Sequence, residues 1–130
     1  MGIYGKADYI ADGTQATIGT TELDLFVITE QDKLTDSQLS AFITFALGTH
    51  TSMEFRYYVR YTPGGTWYQL PFRNESTGAI TSVPSIANAS TPANFLDSLP
   101  LPACAEFKAT VKGVGGANGS ATMNLMSRDN

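Results

Sequence analysis

The chain has 130 residues and a mass of 13.9 kDa, enough for one globular domain and too few for two. Charged residues make up only 15%, while Gly, Thr and Ser fill 38 positions, which excludes a coiled coil and fits a protein of strands and turns. With 42% apolar and 11% aromatic content the chain has surface to bury, so it is not a disordered polymer.

The net charge of −4 is uneven. Residues 1–36 carry seven acids and two lysines, and the eight basic residues of the whole chain are scattered singly. Nucleic-acid binding needs several Lys or Arg together to displace phosphate counterions, so nucleic acid is not an expected partner. No apolar run approaches the ~20 residues of a membrane-spanning helix, and no membrane partner is expected. The start, Met1 to Lys6, lacks the apolar core of a secretory signal, so the expectation is synthesis and assembly in a cytoplasm. The single cysteine, Cys104, has no partner for an internal disulfide.

In chain order, residues 1–14 read as an N-terminal arm, followed by an edge strand at Gln15–Ile18 and a mostly buried strand at Leu23–Ile28. Residues 39–47 fit two periods. Leu39, Phe42, Ile43, Ala46 and Leu47 sit at helical spacing behind a possible Thr35/Gln38 capping box, whereas Ile43, Thr44 and Phe45 favour a strand. We take a strand, as part of an antiparallel meander. Residues 52–61 give the clearest signal: Met53, Phe55, Tyr57, Val59 and Tyr61 alternate with Glu54, Arg56, Tyr58 and Arg60. Side chains on a strand point to opposite faces in turn, so one face is buried and Tyr58 projects outward between two arginines. Thr62-Pro63-Gly64-Gly65 turns the chain into a partner strand at 66–72, whose aromatics are set against the tyrosines before the turn.

Residues 74–100, rich in Asn, Pro, Ser and Thr, read as a long surface excursion holding a strand or a helical turn. Ala105, Phe107, Ala109 and Val111 alternate with Glu106, Lys108, Thr110 and Lys112. Glycines follow at 113, 115, 116 and 119, then a last strand carries Ala121, Met123 and Leu125, so the last third reads as a second hairpin with a tail at 128–130. The sum is an all-β fold, an antiparallel β-sandwich or jelly-roll-like domain of seven to eight strands over residues 15–127.

Chemistry-bearing patterns are sparse. His50 is the lone histidine and reads as a solvated turn residue; no second His or Cys pair completes a zinc site. Cys104 reads as a buried, inert thiol. Glu22 and Asp24 can share a strand face. Glu30, Asp32 and Asp36 crowd one loop without the Asp-x-Asp-x-Asp-Gly order of a calcium loop, so that loop reads as solvated. No Gly-x-Ser-x-Gly elbow is present, and Gly113-Val114-Gly115-Gly116 lies between strands without a following Lys-Ser/Thr. No cofactor, metal or enzymatic activity is expected.

The run Phe45-Ala46-Leu47-Gly48-Thr49-His50-Thr51-Ser52-Met53-Glu54-Phe55-Arg56-Tyr57-Tyr58, followed by Gly65-Thr66-Trp67-Tyr68, resembles small structural proteins of tailed bacteriophages. The closing Val111-Lys112-Gly113-Val114-Gly115 and Gly119-Ser120 resemble the final Lys-Gly hairpin of the same group. The resemblance covers residues 39–72 and 105–127. It implies a virion component, a non-enzymatic cement or decoration protein binding across subunits of the major capsid protein, present in many copies or as a homo-oligomer and assembled in the host cytoplasm. Candidate contact residues are Tyr4 and Tyr9 on the arm, Arg56, Tyr58, Arg60 and Trp67 on the central hairpin, and Phe95 on the excursion. Two alternatives stand beside it: a carbohydrate-binding or adhesion module using Trp67 and Tyr58, and a small neck or tail subunit.

Overall fold

The computed structural model describes residues 6–30, 38–70, 72–74, 80–81, 85–86, 94–100 and 104–129. Within them lie eleven strands: β1 (Lys6–Ile18), β2 (Leu23–Ile28), β3 (Gln38–Ala46), β4 (Ser52–Arg60), β5 (Tyr68–Leu70), β6 (Phe72–Asn74), β7 (Ile80–Thr81), β8 (Ser85–Ile86), β9 (Asn94–Pro100), β10 (Glu106–Val114) and β11 (Gly119–Asp129). They form two antiparallel sheets. The first has the order β1-β11-β3-β9-β6-β7; the second has β2-β10-β4-β5, with β8 pairing β4 beyond the end of β5. Leaving out the short β6, β7 and β8, the orders β1-β11-β3-β9 and β2-β10-β4-β5 are those of an eight-stranded jelly roll, in which late strands interleave with early ones.

The period-two segments close the sandwich as physics requires. Leu39, Ala41, Ile43 and Phe45 of β3, with Ala121, Met123 and Leu125 of β11, face Met53, Phe55, Tyr57 and Val59 of β4 and Phe107, Ala109 and Val111 of β10, all buried. Large residues sit opposite small ones: Tyr57 beside Ala109, Leu125 beside Ala41, Phe45 beside Ala121. That alternation lets the side chains of the two sheets interdigitate. Phe45 and Phe55 meet edge to face across it at 6.4 Å.

Residues 39–46 are a strand, and the helical spacing is incidental: Phe42, Thr44 and Ala46 are exposed while their neighbours are buried. Three expectations about strand placement change. First, β3 and β4 lie in opposite sheets, so they form an arch and not a meander. Second, β10 and β11 are not a hairpin: β10 pairs β2 and β4, whereas β11 pairs β1 and β3. Both edges of β10 are taken by β2 and β4, so the chain after it has no free edge to pair with and crosses to the other sheet. Third, β2 is the edge strand of the second sheet, with Asp24 and Val27 exposed.

Residues 6–14, expected as an arm, are the first part of β1 and pair with β11, and β11 itself runs to Asp129. A bulge between Tyr9 and Ala11 hides the strand's alternation, because Ile10 is buried out of phase with Asp12 and Thr14. Of the 74–100 segment, β9 is integral to the first sheet, between β3 and β6.

His50 is not a solvated turn residue. It is 3% exposed and closes one end of the sandwich. Its Nε2 lies 2.7 Å from the Ile18 carbonyl oxygen, and its Nδ1 meets the Gly115 carbonyl oxygen. The β3–β4 and β10–β11 arches are laced together at this end, with the Thr49 amide donating to Ala117 O at 3.0 Å, the Thr51 amide to Val114 O at 3.0 Å, and the Ala117 amide to Thr49 Oγ1 at 2.8 Å. Gly48, Gly115, Gly116 and Asn118 supply the left-handed backbone these arches need.

Candidate contact surface

The two outer faces differ in chemistry. The outer face of the second sheet carries Glu54, Arg56, Tyr58 and Arg60 from β4 and Glu106, Lys108, Thr110 and Lys112 from β10, as alternation placed them. The charges are matched. Arg60 hydrogen-bonds Glu106 and Arg56 forms an ion pair with Glu54 at 2.8 Å, while Lys112 lies 3.9 Å from Glu54 and Lys108 3.8 Å from Asp24. Apart from Asp24, these side chains are largely buried, so desolvation offsets much of their mutual attraction and their consequence is neutrality more than stability.

Glu22, just before β2, reaches over this face. It accepts hydrogen bonds from the Tyr58 hydroxyl at 2.7 Å and the Thr110 hydroxyl at 2.6 Å. Partial burial pushes the Glu22 carboxyl up. The two hydroxyl bonds and the charges of Arg56 and Lys108 together outweigh it, leaving the group below its ordinary range. Burial and the Glu22 carboxylate push the Tyr58 phenol the other way, up to about 12. The sign of the pH dependence follows. The Glu22 contribution is present above the ordinary carboxylate value and fades as pH falls through the lowered one; the Tyr58 contribution is present below 10 and is lost as pH rises toward about 12. Tyr58→Phe removes one donor and is expected to raise the Glu22 titration midpoint, read by NMR of its carboxyl carbon. An unmoved midpoint would mean the bond is not formed.

Trp67 lies under two cations, the Arg60 guanidinium 4.2 Å and Lys108 Nζ 4.9 Å from the ring centroid; Lys108 also lies 5.2 Å from the Tyr58 centroid. These contacts hold Arg60 and Lys108 over rings that a sugar would otherwise stack on. The open aromatic surface lies instead at the end of the β4–β5 hairpin. Tyr61 and Tyr68 are 54% and 55% exposed, with ring centroids 5.8 Å apart, so Tyr61 does not join the core although it continues the buried phase of β4. The turn beneath them is tight, with Gly64 at φ +77° and the Gly65 amide bonded to Thr62 O at 2.9 Å.

Four of the seven sequence-derived contact residues, Arg56, Tyr58, Arg60 and Trp67, therefore share one neighbourhood. Tyr9 is on the opposite side of the sandwich, exposed on β1, with its phenol pushed up by a hydrogen bond to Asp12. Tyr4 lies outside the described residues; Phe95 lies on β9 opposite Ile43, with its side chain outside what is described. Asp32 and Asp36 of the acidic loop also lie outside the described residues. Cys104 packs at the core margin, where burial pushes its thiol up and disfavours the nucleophilic thiolate.

The fold is similar to the crystal structure of the SPBc2 prophage-derived protein YomS, at a TM-score of 0.56 and 14% identity, over 96% of this chain and 98% of that one. It is also similar to the PBSX exported protein XepA, at a TM-score of 0.57 and 10% identity, over 95% of this chain and 38% of XepA. No protein-family model and no curated protein sequence matches the chain. At these identities the likeness is one of fold.

Proposed function

We propose that this protein is a non-enzymatic structural component of a phage virion, a cement or decoration protein that binds across subunits of the capsid. The observation that carries the reading is the end-to-end correspondence with the prophage-derived YomS, whose whole chain is covered by this one domain. The sequence resemblance of residues 39–72 and 105–127 to phage structural proteins points the same way.

The Tyr61–Tyr68 pair is the contact we assign to the capsid, because it is preorganised on a tight hairpin and lies outside the core. Each ring offers on the order of 100 Å² to a partner, worth roughly 2–3 kcal/mol when buried. Purified protein is therefore expected to co-sediment with virions of the encoding phage and to saturate at a fixed copy number. Tyr61→Ala combined with Tyr68→Ala is expected to weaken that binding at least about tenfold with an unchanged circular dichroism spectrum. Absence of the wild-type protein from sedimented particles would sink the proposal.

A further inference from the structure

We propose that the outer face of the first sheet is a contact between copies of this chain. Cross-strand register sets that face in rows: Tyr9, Met126 and Ser40; Asp12, Asn124 and Phe42; Thr14, Thr122 and Thr44; then Ser120 and Ala46. Phe42 is 37% exposed and Tyr9 63%. Among the described side chains of these rows Asp12 is the one charged group, and it sits on the edge strand β1, at the rim of the patch. The opposite face of the sandwich holds eight charged side chains, counting Glu22 and Asp24.

This segregation selects the occupant. Protein contacts are depleted of charge at their centre and enriched in aromatic residues and Met, with charge left to a hydrated rim. The centre here is Phe42, Met126, Asn124, Thr122 and Thr44. Hydroxyl and amide groups donate and accept alike, as the Thr14 and Thr122 hydroxyls already do with each other at 3.0 Å. Such a face is complementary to its own image across a two-fold axis, whereas a partner presenting charge would have that charge buried without a counterion. The size is sufficient. Four long strands, β1, β11, β3 and β9, at ~4.8 Å spacing and with lengths near 30 Å give a footprint of roughly 570 Å² per copy. The pair then buries about 1,150 Å², at the lower limit of stable interfaces, which means a reversible dimer.

Sedimentation velocity of the full chain, from about 1 μM to about 1 mM, is expected to show a monomer–dimer equilibrium. Phe42→Lys and Thr122→Lys place charge at the centre of the patch on solvent-facing positions and are each expected to raise the dimer Kd by about tenfold or more. Val27→Lys, on exposed β2 of the other sheet, is expected to leave it unchanged. A monomer at every concentration overturns the proposal, even one that binds particles through Phe42, as does a dimer indifferent to Phe42→Lys and Thr122→Lys or equally weakened by Val27→Lys. No particle is present in this measurement, so it fails or succeeds separately from the virion reading.

Discussion

Replacing His50 with alanine is expected to destabilise the fold by about 3–5 kcal/mol, a shift of the melting midpoint on the order of 10–20 °C. Two losses add. Whichever of the Ile18 and Gly115 carbonyls accepts the ring N–H loses its donor, and the space the ring fills is emptied at a point where three segments converge. That space exists because two glycines flank it. A Cβ at Gly113 would land among the His50 ring atoms, and one at Gly119 would come within 2.9 Å of its Cδ2. Gly113 does not have a positive φ, so Gly113→Ala carries no backbone strain, and its cost, about 2–4 kcal/mol, comes from collision with a ring pinned at both nitrogens. The two substitutions are therefore coupled. In the His50→Ala background the methyl at 113 enters vacated space, and the double variant is expected to be at least about 1 kcal/mol more stable than the sum of the singles. Urea denaturation followed by Trp67 fluorescence measures all three; strictly additive losses would show that the ring does not occupy that space.

Gly13→Ala is expected to cost about 3 kcal/mol or more, for a reason with no side-chain escape. Gly13 pairs with Met123 in the first sheet, and a Cβ there would fall within the radius of the Leu25 carbonyl oxygen on β2, backbone against backbone. The edges β1 and β2 approach each other at this corner, and the Gln15 side-chain Nε2 donates to Asp24 O at 2.8 Å beside it. The added methyl must part the two edges or displace β1. Gly19→Ala is the matched control, since nothing lies within 4 Å of its Cβ position, and its effect is expected to stay within about 0.5 kcal/mol. Equal midpoints for the two variants in the same denaturant titration would refute the close approach.

The features that could be read in advance are those whose cause lies within a dozen residues. The β4–β5 hairpin is one: Tyr57 pairs Leu70 and Val59 pairs Tyr68 around a turn whose Pro and two glycines announce it. The outward placement of Arg56, Tyr58 and Arg60 is another, because it depends only on strand alternation. The second cation over Trp67 was not legible, since Lys108 comes from a strand far along the chain. Phe42 carried a readable signal, its phase opposite to Leu39, Ala41 and Ile43, but helical spacing obscured it. The exposure of Tyr61 breaks its own strand's alternation, because it lies past the end of β4, whose last residue is Arg60.

By itself, then, the amino-acid order determined that the chain is all-β, which residues of β3, β4, β10 and β11 are apolar on one side, and where it turns. Tertiary structure alone decided which strands are neighbours. A Gly-rich connection between two alternating strands serves equally for a hairpin and for an arch, and β10–β11 became an arch because β10 is hydrogen-bonded on both edges, to β2 and β4. The same decision carried His50 from an apparently polar loop into the gap beside Gly113 and Gly119. Its burial depends on acceptors at Ile18 and Gly115, 32 and 65 positions away, and no local pattern around Thr49-His50-Thr51 encodes them.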